Sequence, residues 1–127
     1  MIAVDTSIWI EFFRGRSPVT EALSELLDRD QVALPVPVRI EVLSGARKAE
    51  RAHLGRLLSA LPVLYPTDAS WARIETWVMK GAASGHRFGC ADLLIAALAV
   101  DHDCALWSLD GDFSRMARLG MVQAASV

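Results

Sequence analysis

The sequence has 127 residues, 53 % of them hydrophobic and 22 % charged, which excludes a disordered tail or a low-complexity linker and leaves room for one real core. Thirteen Lys and Arg stand against 15 Asp and Glu, a formal charge of −2, so a nucleic-acid glove held by bulk charge is excluded. The longest wholly apolar run, Leu93 to Val100, is far shorter than the roughly 20 residues of a membrane span.

Met1-Ile2-Ala3-Val4-Asp5 opens a short apolar run with no basic leader, so no targeting peptide is expected. Ile2-Ala3-Val4 reads as a buried strand, and Asp5-Thr6-Ser7 as the cap of a helix to about Phe13, stopped by Arg14-Gly15-Arg16. Ser17-Pro18 starts a second helix, with Pro at its first position and Leu23, Leu26 and Leu27 at helical spacing. Val32-Ala33-Leu34 is a second strand, and Pro37 opens a helix through Arg47. A further helix runs from about Ala49 to Ala60. The proline-bounded Pro62–Pro66 is a third strand, and Thr67 and Asp68 cap a long helix to about Ala83. After the loop Ser84–Gly89, Cys90 to Val100 is an apolar helix, Cys104–Trp107 a fourth strand, and Asp112 to Leu119 a last helix ended by Gly120. Met121-Val122 is expected as a closing edge strand.

Strands alternate with helices and are continuously apolar. The expected fold is therefore α/β: one domain over residues 1–127, three layers α/β/α around a short central parallel sheet of about four to five strands. Cys90 and Cys104 form neither a disulfide framework nor a zinc pattern. Both are expected as reduced core thiols, which points to a cytoplasmic location. His53, His86 and His102 are scattered and read as surface residues.

In such a sheet the ligand site lies beyond the carboxyl ends of the strands. Four acids stand there: Asp5 after the first strand, Glu41 in the second turn of the helix after the second, Asp92 in the first turn of the apolar helix, and Asp110 after the fourth strand, with Asp112 two residues on. Asp92 shares its helical stripe with Ile95, Ala96 and Ala99, a costly place for an unpaired carboxylate. Glu41 has Pro37, Val38, Ser44 and Gly45 as its wheel neighbours, none of them a cation. Each acid alone has a plainer reading: Asp5 as a cap, Asp92 as an acid favoured by the helix dipole, Glu41 leaning into solvent, Asp110 and Asp112 as turn and cap residues. Together they are like charges at one sheet end, which a divalent cation relieves, and all-oxygen ligation favours Mg²⁺ or Mn²⁺ over zinc. Charge is also segregated. Residues 88–114 carry five acids and no Lys or Arg, whereas residues 39–56 carry Arg39, Arg47, Lys48, Arg51 and Arg56 against two acids. An acidic metal pocket beside a basic flank suits a polyanion, although the basic run also fits a solvated helix face.

The series Asp5-Thr6-Ser7, Glu41 at a helix head, Asp92-Leu93-Leu94-Ile95-Ala96-Ala97 and Ser108-Leu109-Asp110-Gly111-Asp112-Phe113 resembles the PIN-domain ribonucleases, and in size the VapC toxins of toxin–antitoxin pairs. The resemblance covers Ile2 to about Val122. It implies Asp5, Glu41, Asp92 and Asp110 as a catalytic and metal-binding quartet, with Asp112 either a ligand or one step removed. It also implies an RNA substrate, a homodimer and an inhibitory antitoxin. Ser108 stands where the family more often has Thr, so a hydroxyl is kept. Thr6, Ser7, Ser108 and the loop residue Arg87 are candidate substrate contacts. Trp9, Phe12 and Phe13, at i, i+3, i+4, read as core packing, with an antitoxin or dimer surface as the alternative.

The expected activity is Mg²⁺-dependent endonucleolytic cleavage of RNA by a metal-activated water. A haloacid-type phosphohydrolase needs a second Asp two residues after the first, where Ser7 stands. A receiver domain needs a late Lys, but Lys48 and Lys80 both precede the fourth strand. A PIN-fold binding module that has lost its chemistry would not need all four acids.

Overall fold

The computed structural model describes residues 1–127. In chain order the elements are β1 (Ile2–Val4), α1 (Thr6–Phe13), α2 (Val19–Asp28), β2 (Val32–Pro35), α3 (Val36–Gly45), α4 (Lys48–Ser59), β3 (Val63–Leu64), α5 (Asp68–Ala83), α6 (Cys90–Asp101), β4 (Ala105–Trp107) and α7 (Gly111–Arg118). The four strands are parallel, in the order β3-β2-β1-β4. β1 is therefore central, pairing Ile2 with both Val32 and Ala105. Ala3, Val4 and Leu34 are wholly buried, as strands covered on both faces must be.

α6 is the most deeply packed helix, with Leu93 and Ile95 through Ala99 all buried. It meets α3, α5, α7, β2 and β4, which explains an apolar surface all round. Its last residue, Asp101, is an acid at the wrong end for the helix dipole. That carboxylate is held by the Ser70 hydroxyl at 2.5 Å and by Arg73 Nε at 2.9 Å, which ties α6 to α5. No helix is long and apolar enough to cross a membrane.

Several boundaries differ from the sequence expectation. α3 stops at Gly45 because Ala46 turns extended (φ −76°, ψ 148°) and Arg47 becomes the cap of α4. Arg51 fastens that corner by donating to the carbonyls of Leu43 and Ala46, acceptors that a helix end leaves open. Pro18 caps α2 rather than entering it. The third strand shrinks to Val63–Leu64. Met121 and Val122 do not form an edge strand. After Gly120 (φ +76°) both side chains sink into the core, and the sheet is extended only by a parallel bridge from Leu106 to Ala124. The sheet therefore has four strands, the lower of the expected numbers. Cys104 is buried as expected, but Cys90, the first residue of α6, is exposed. His53 and His102 are exposed, and His86 stacks on Phe88.

Candidate active site

β1 and β4 are adjacent, so the residues following them meet although they lie about a hundred positions apart. Asp5 follows β1, caps α1, and is only 6 % exposed. A carboxylate buried to that degree needs donors, and one oxygen, Oδ2, collects them all. The Ser7 hydroxyl donates at 2.8 Å, the Ser108 hydroxyl at 2.7 Å, and the Ser7 amide at 3.3 Å. The same hydroxyls accept in turn, Ser7 from the Leu109 amide (3.0 Å) and Ser108 from the Asp110 amide (2.9 Å). Each hydroxyl has one hydrogen, and both are spent on Asp5. Ser7 and Ser108, expected as substrate contacts, bind the loop after β4 to the acid after β1.

That loop delivers Asp110 and Asp112. Asp110 caps α7, its Oδ1 accepting from the Asp112 amide at 2.9 Å. The plain capping role and the acidic-site role thus coexist, because a carboxylate has a second oxygen. Asp92 comes from the first turn of α6. Each of Asp92, Asp110 and Asp112 offers one carboxylate oxygen such that all three lie within 4.8 Å of one another. Asp112, left open by sequence, belongs to this tight group.

The crowding is visible in proton affinity. The Asp92 carboxyl is pushed up to about 6, first by burial and then by the charges of Asp110, Asp5, Asp112 and Glu41. Glu41 is raised as well, by burial and by Asp5. Asp5 and Glu41 are thus electrostatic neighbours of the group but lie outside its 4.8 Å limit. Glu41 itself is exposed on α3. The Thr6 hydroxyl is shut from solvent without a partner in bonding geometry, yet lies close enough to Glu41 to favour its carboxylate. Arg87 is exposed and makes no ion pair with these acids.

Sequence reasoning did not single out Arg115. Its Nη1 lies 2.7 Å from Asp112 Oδ1, the only ion pair made by any of the five acids. The i, i+3 spacing on a helix was the available signal.

Beside Glu41 and Thr6 a groove opens between α1, α3 and α4, lined by Phe12, Phe13, Val42, Leu54 and Leu57. Trp9 is buried, as core packing requires, whereas Phe13 is 48 % exposed and faces the groove. Of the basic flank, Arg51 is committed to the α3–α4 corner and Arg39 to Ser59. Arg47, Lys48 and Arg56 are exposed and unpaired. A donor set made only of carboxylate oxygens, with one arginine among five acids, fits a hard divalent cation.

A family model described as the PIN domain matches residues 2–119. The chain is 35 % identical over 133 aligned positions to the VapC ribonuclease Mb1587 of Mycobacterium bovis, covering 99 % of this chain and 98 % of that one. It is 31 % identical over 110 positions to Ribonuclease VapC10 of Mycobacterium tuberculosis, covering 87 % and 83 %. Among solved structures it is similar to VapBC2 from Rickettsia felis bound to a promoter DNA fragment, with TM-score 0.78, 20 % identity and 98 % of both chains covered. It is also similar to the VapBC-5 toxin–antitoxin structure from Mycobacterium tuberculosis, with TM-score 0.69, 25 % identity, and 99 % and 98 % covered.

Proposed function

The chain belongs to the PIN domain family, and from that membership and its gathered acids we infer that it is a metal-dependent endoribonuclease, the toxin of a toxin–antitoxin pair. The observation that carries this reading is the approach of Asp92, Asp110 and Asp112 to within 4.8 Å with oxygen as the only donor atom. Asp92, Asp110 and Asp112 would hold Mg²⁺, or Mn²⁺ in its place, with Asp5 and Glu41 completing the negative field around it. A divalent cation bound there would supply Lewis acidity, lowering the pKa of water and offsetting charge on a phosphate. The remaining work falls to the chain. Ser7 and Ser108 fix Asp5, capping fixes Asp110, and Arg47, Lys48 and Arg56 offer positive charge to a polyanion.

The rivals lack support. The position where a haloacid-type phosphohydrolase carries its second Asp holds Ser7, whose hydrogen is committed to Asp5. A silent module has no use for five carboxylates held together against their repulsion.

The groove between α1, α3 and α4 fits an apolar segment of an antitoxin, since it ends at Glu41 beside the acids. Trp71, Val78 and Met79, exposed on α5, suit the face of a homodimer. Residues 1–127 act as one PIN-like unit in the cytoplasm.

The deciding experiment incubates structured RNA with the protein in Mg²⁺, in Mn²⁺ and in chelator. Internal cleavage with either metal and none with chelator is expected. Cleavage that survives chelation, or none under any condition, overturns the reading.

A further inference from the structure

Arg115 occupies an unusual place. Helical side chains lean toward the N-terminus of their helix, and Arg115 follows this back along α7 to Asp112 in the first turn. There its guanidinium lies over Gly111: a Cβ at that glycine would sit 3.5 Å from Nη1 and 3.8 Å from Nη2. A cation near a helix N-terminus opposes the dipole, so the helix does not draw it there. The carboxylates do, and Asp112 holds it at 2.7 Å. Both side chains are about two-fifths exposed, at 44 % and 39 %, which makes the pair weak and exchangeable.

We propose that Arg115 competes with the divalent cation for Asp112, and so sets how tightly the acidic site takes its metal. The proposal rests on the metal-dependent reading above. Asp112 pairs with the guanidinium and also offers an oxygen within 4.8 Å of those of Asp92 and Asp110. A cation entering among the three carboxylates meets a positive charge already seated on one of them, and must displace it or tolerate it. Arg115 is thus a positioning residue: it acts on the metal through Asp112.

The test is calorimetric titration of Mn²⁺ into the metal-stripped full chain, without RNA. Arg115→Gln should tighten Mn²⁺ binding about two- to fivefold, the scale set by an exposed ion pair. In an Asp112→Asn background, where the guanidinium has lost its partner, the same change should yield less than half of that gain. Unchanged or weaker binding by Arg115→Gln overturns the proposal, because the guanidinium would then be holding Asp112 in place for the metal. Equal tightening in both backgrounds also overturns it, because only general charge would be at work. Loss of Mn²⁺ uptake in Asp92→Asn separates the two levels. With that loss present and Arg115→Gln inert, only the competition fails; with no Mn²⁺ uptake by the unmodified chain, the competition and the nuclease reading fail together.

Discussion

Asp92→Asn is expected to slow RNA cleavage in Mg²⁺ by on the order of a hundred- to a thousandfold, while raising the melting temperature of the metal-free protein. The two effects share one cause. Asp92 is half-buried among four other acids, and its carboxyl titrates at about 6, above the ordinary aspartate value of about 3.9 that it regains on unfolding. The native state therefore binds this proton more tightly than the unfolded chain. Below pH 4 both states are protonated and the group is neutral to stability. As pH rises from about 4 to about 6 the unfolded chain ionises first, so stability falls, and above 6 the full penalty remains. Water screening at a half-exposed site leaves this penalty at about 1 kcal/mol, or roughly 4 °C in Tm for a chain of this length. Asparagine removes both the charge and its pH dependence. Thermal melts in chelator at pH 4, 5, 6 and 7 check it: the variant should gain on the wild type across that range. Added Mg²⁺ should reverse the order, because only the wild type gains stability by binding. A variant that melts lower at pH 7 in chelator would show that the acids are not in mutual conflict.

Ser108→Ala should act in the opposite direction, lowering stability and activity together. The hydroxyl removed donates at 2.7 Å to a carboxylate that is 6 % exposed, and accepts the Asp110 amide at 2.9 Å. A hydrogen bond to a charged group contributes about 1.5–3 kcal/mol, equivalent to roughly 6–12 °C in Tm. Ser7→Ala should cost a similar amount, since it removes the second donor to Oδ2 and the acceptor of the Leu109 amide. The two losses will not add simply, because both hydroxyls serve one oxygen. Ser108→Thr keeps the hydroxyl and should restore most of the loss. An alanine variant that melts with the wild type would mean that Asp5 draws its stability from elsewhere.

Much of the layout was legible in the sequence because it is written locally. Apolar triplets between cap residues mark β1, β2 and β4, and an acid directly after a strand must emerge at one end of a parallel sheet. Asp5 and Asp110 could be placed that way without coordinates, and Asp92 by its place in the first turn of an otherwise apolar helix. The role of Ser7 and Ser108 could not, since a contact between residues 101 positions apart leaves no local trace. Met121-Val122 illustrates the converse: two apolar residues read equally well as a strand or as coil pressed into the core, and packing chose the coil. Cys90 was misplaced for a related reason, because an apolar helix still has a first turn that faces water. Arg115 escaped notice because a charged pair on a short helix ordinarily signifies surface decoration, and only the company of Asp92 and Asp110 gives it meaning.

The pairing of β1 with β4 also orders events in time. The acid after residue 4 and the serine that grips it are separated by 103 positions. A chain made only through α6 already carries Asp5, Glu41 and Asp92 but lacks Ser108, Asp110 and Asp112. The carboxylate site closes only when the final strand inserts beside the first, the slow kind of contact in folding. The growing chain thus lacks a complete carboxylate site until nearly all of it has been made.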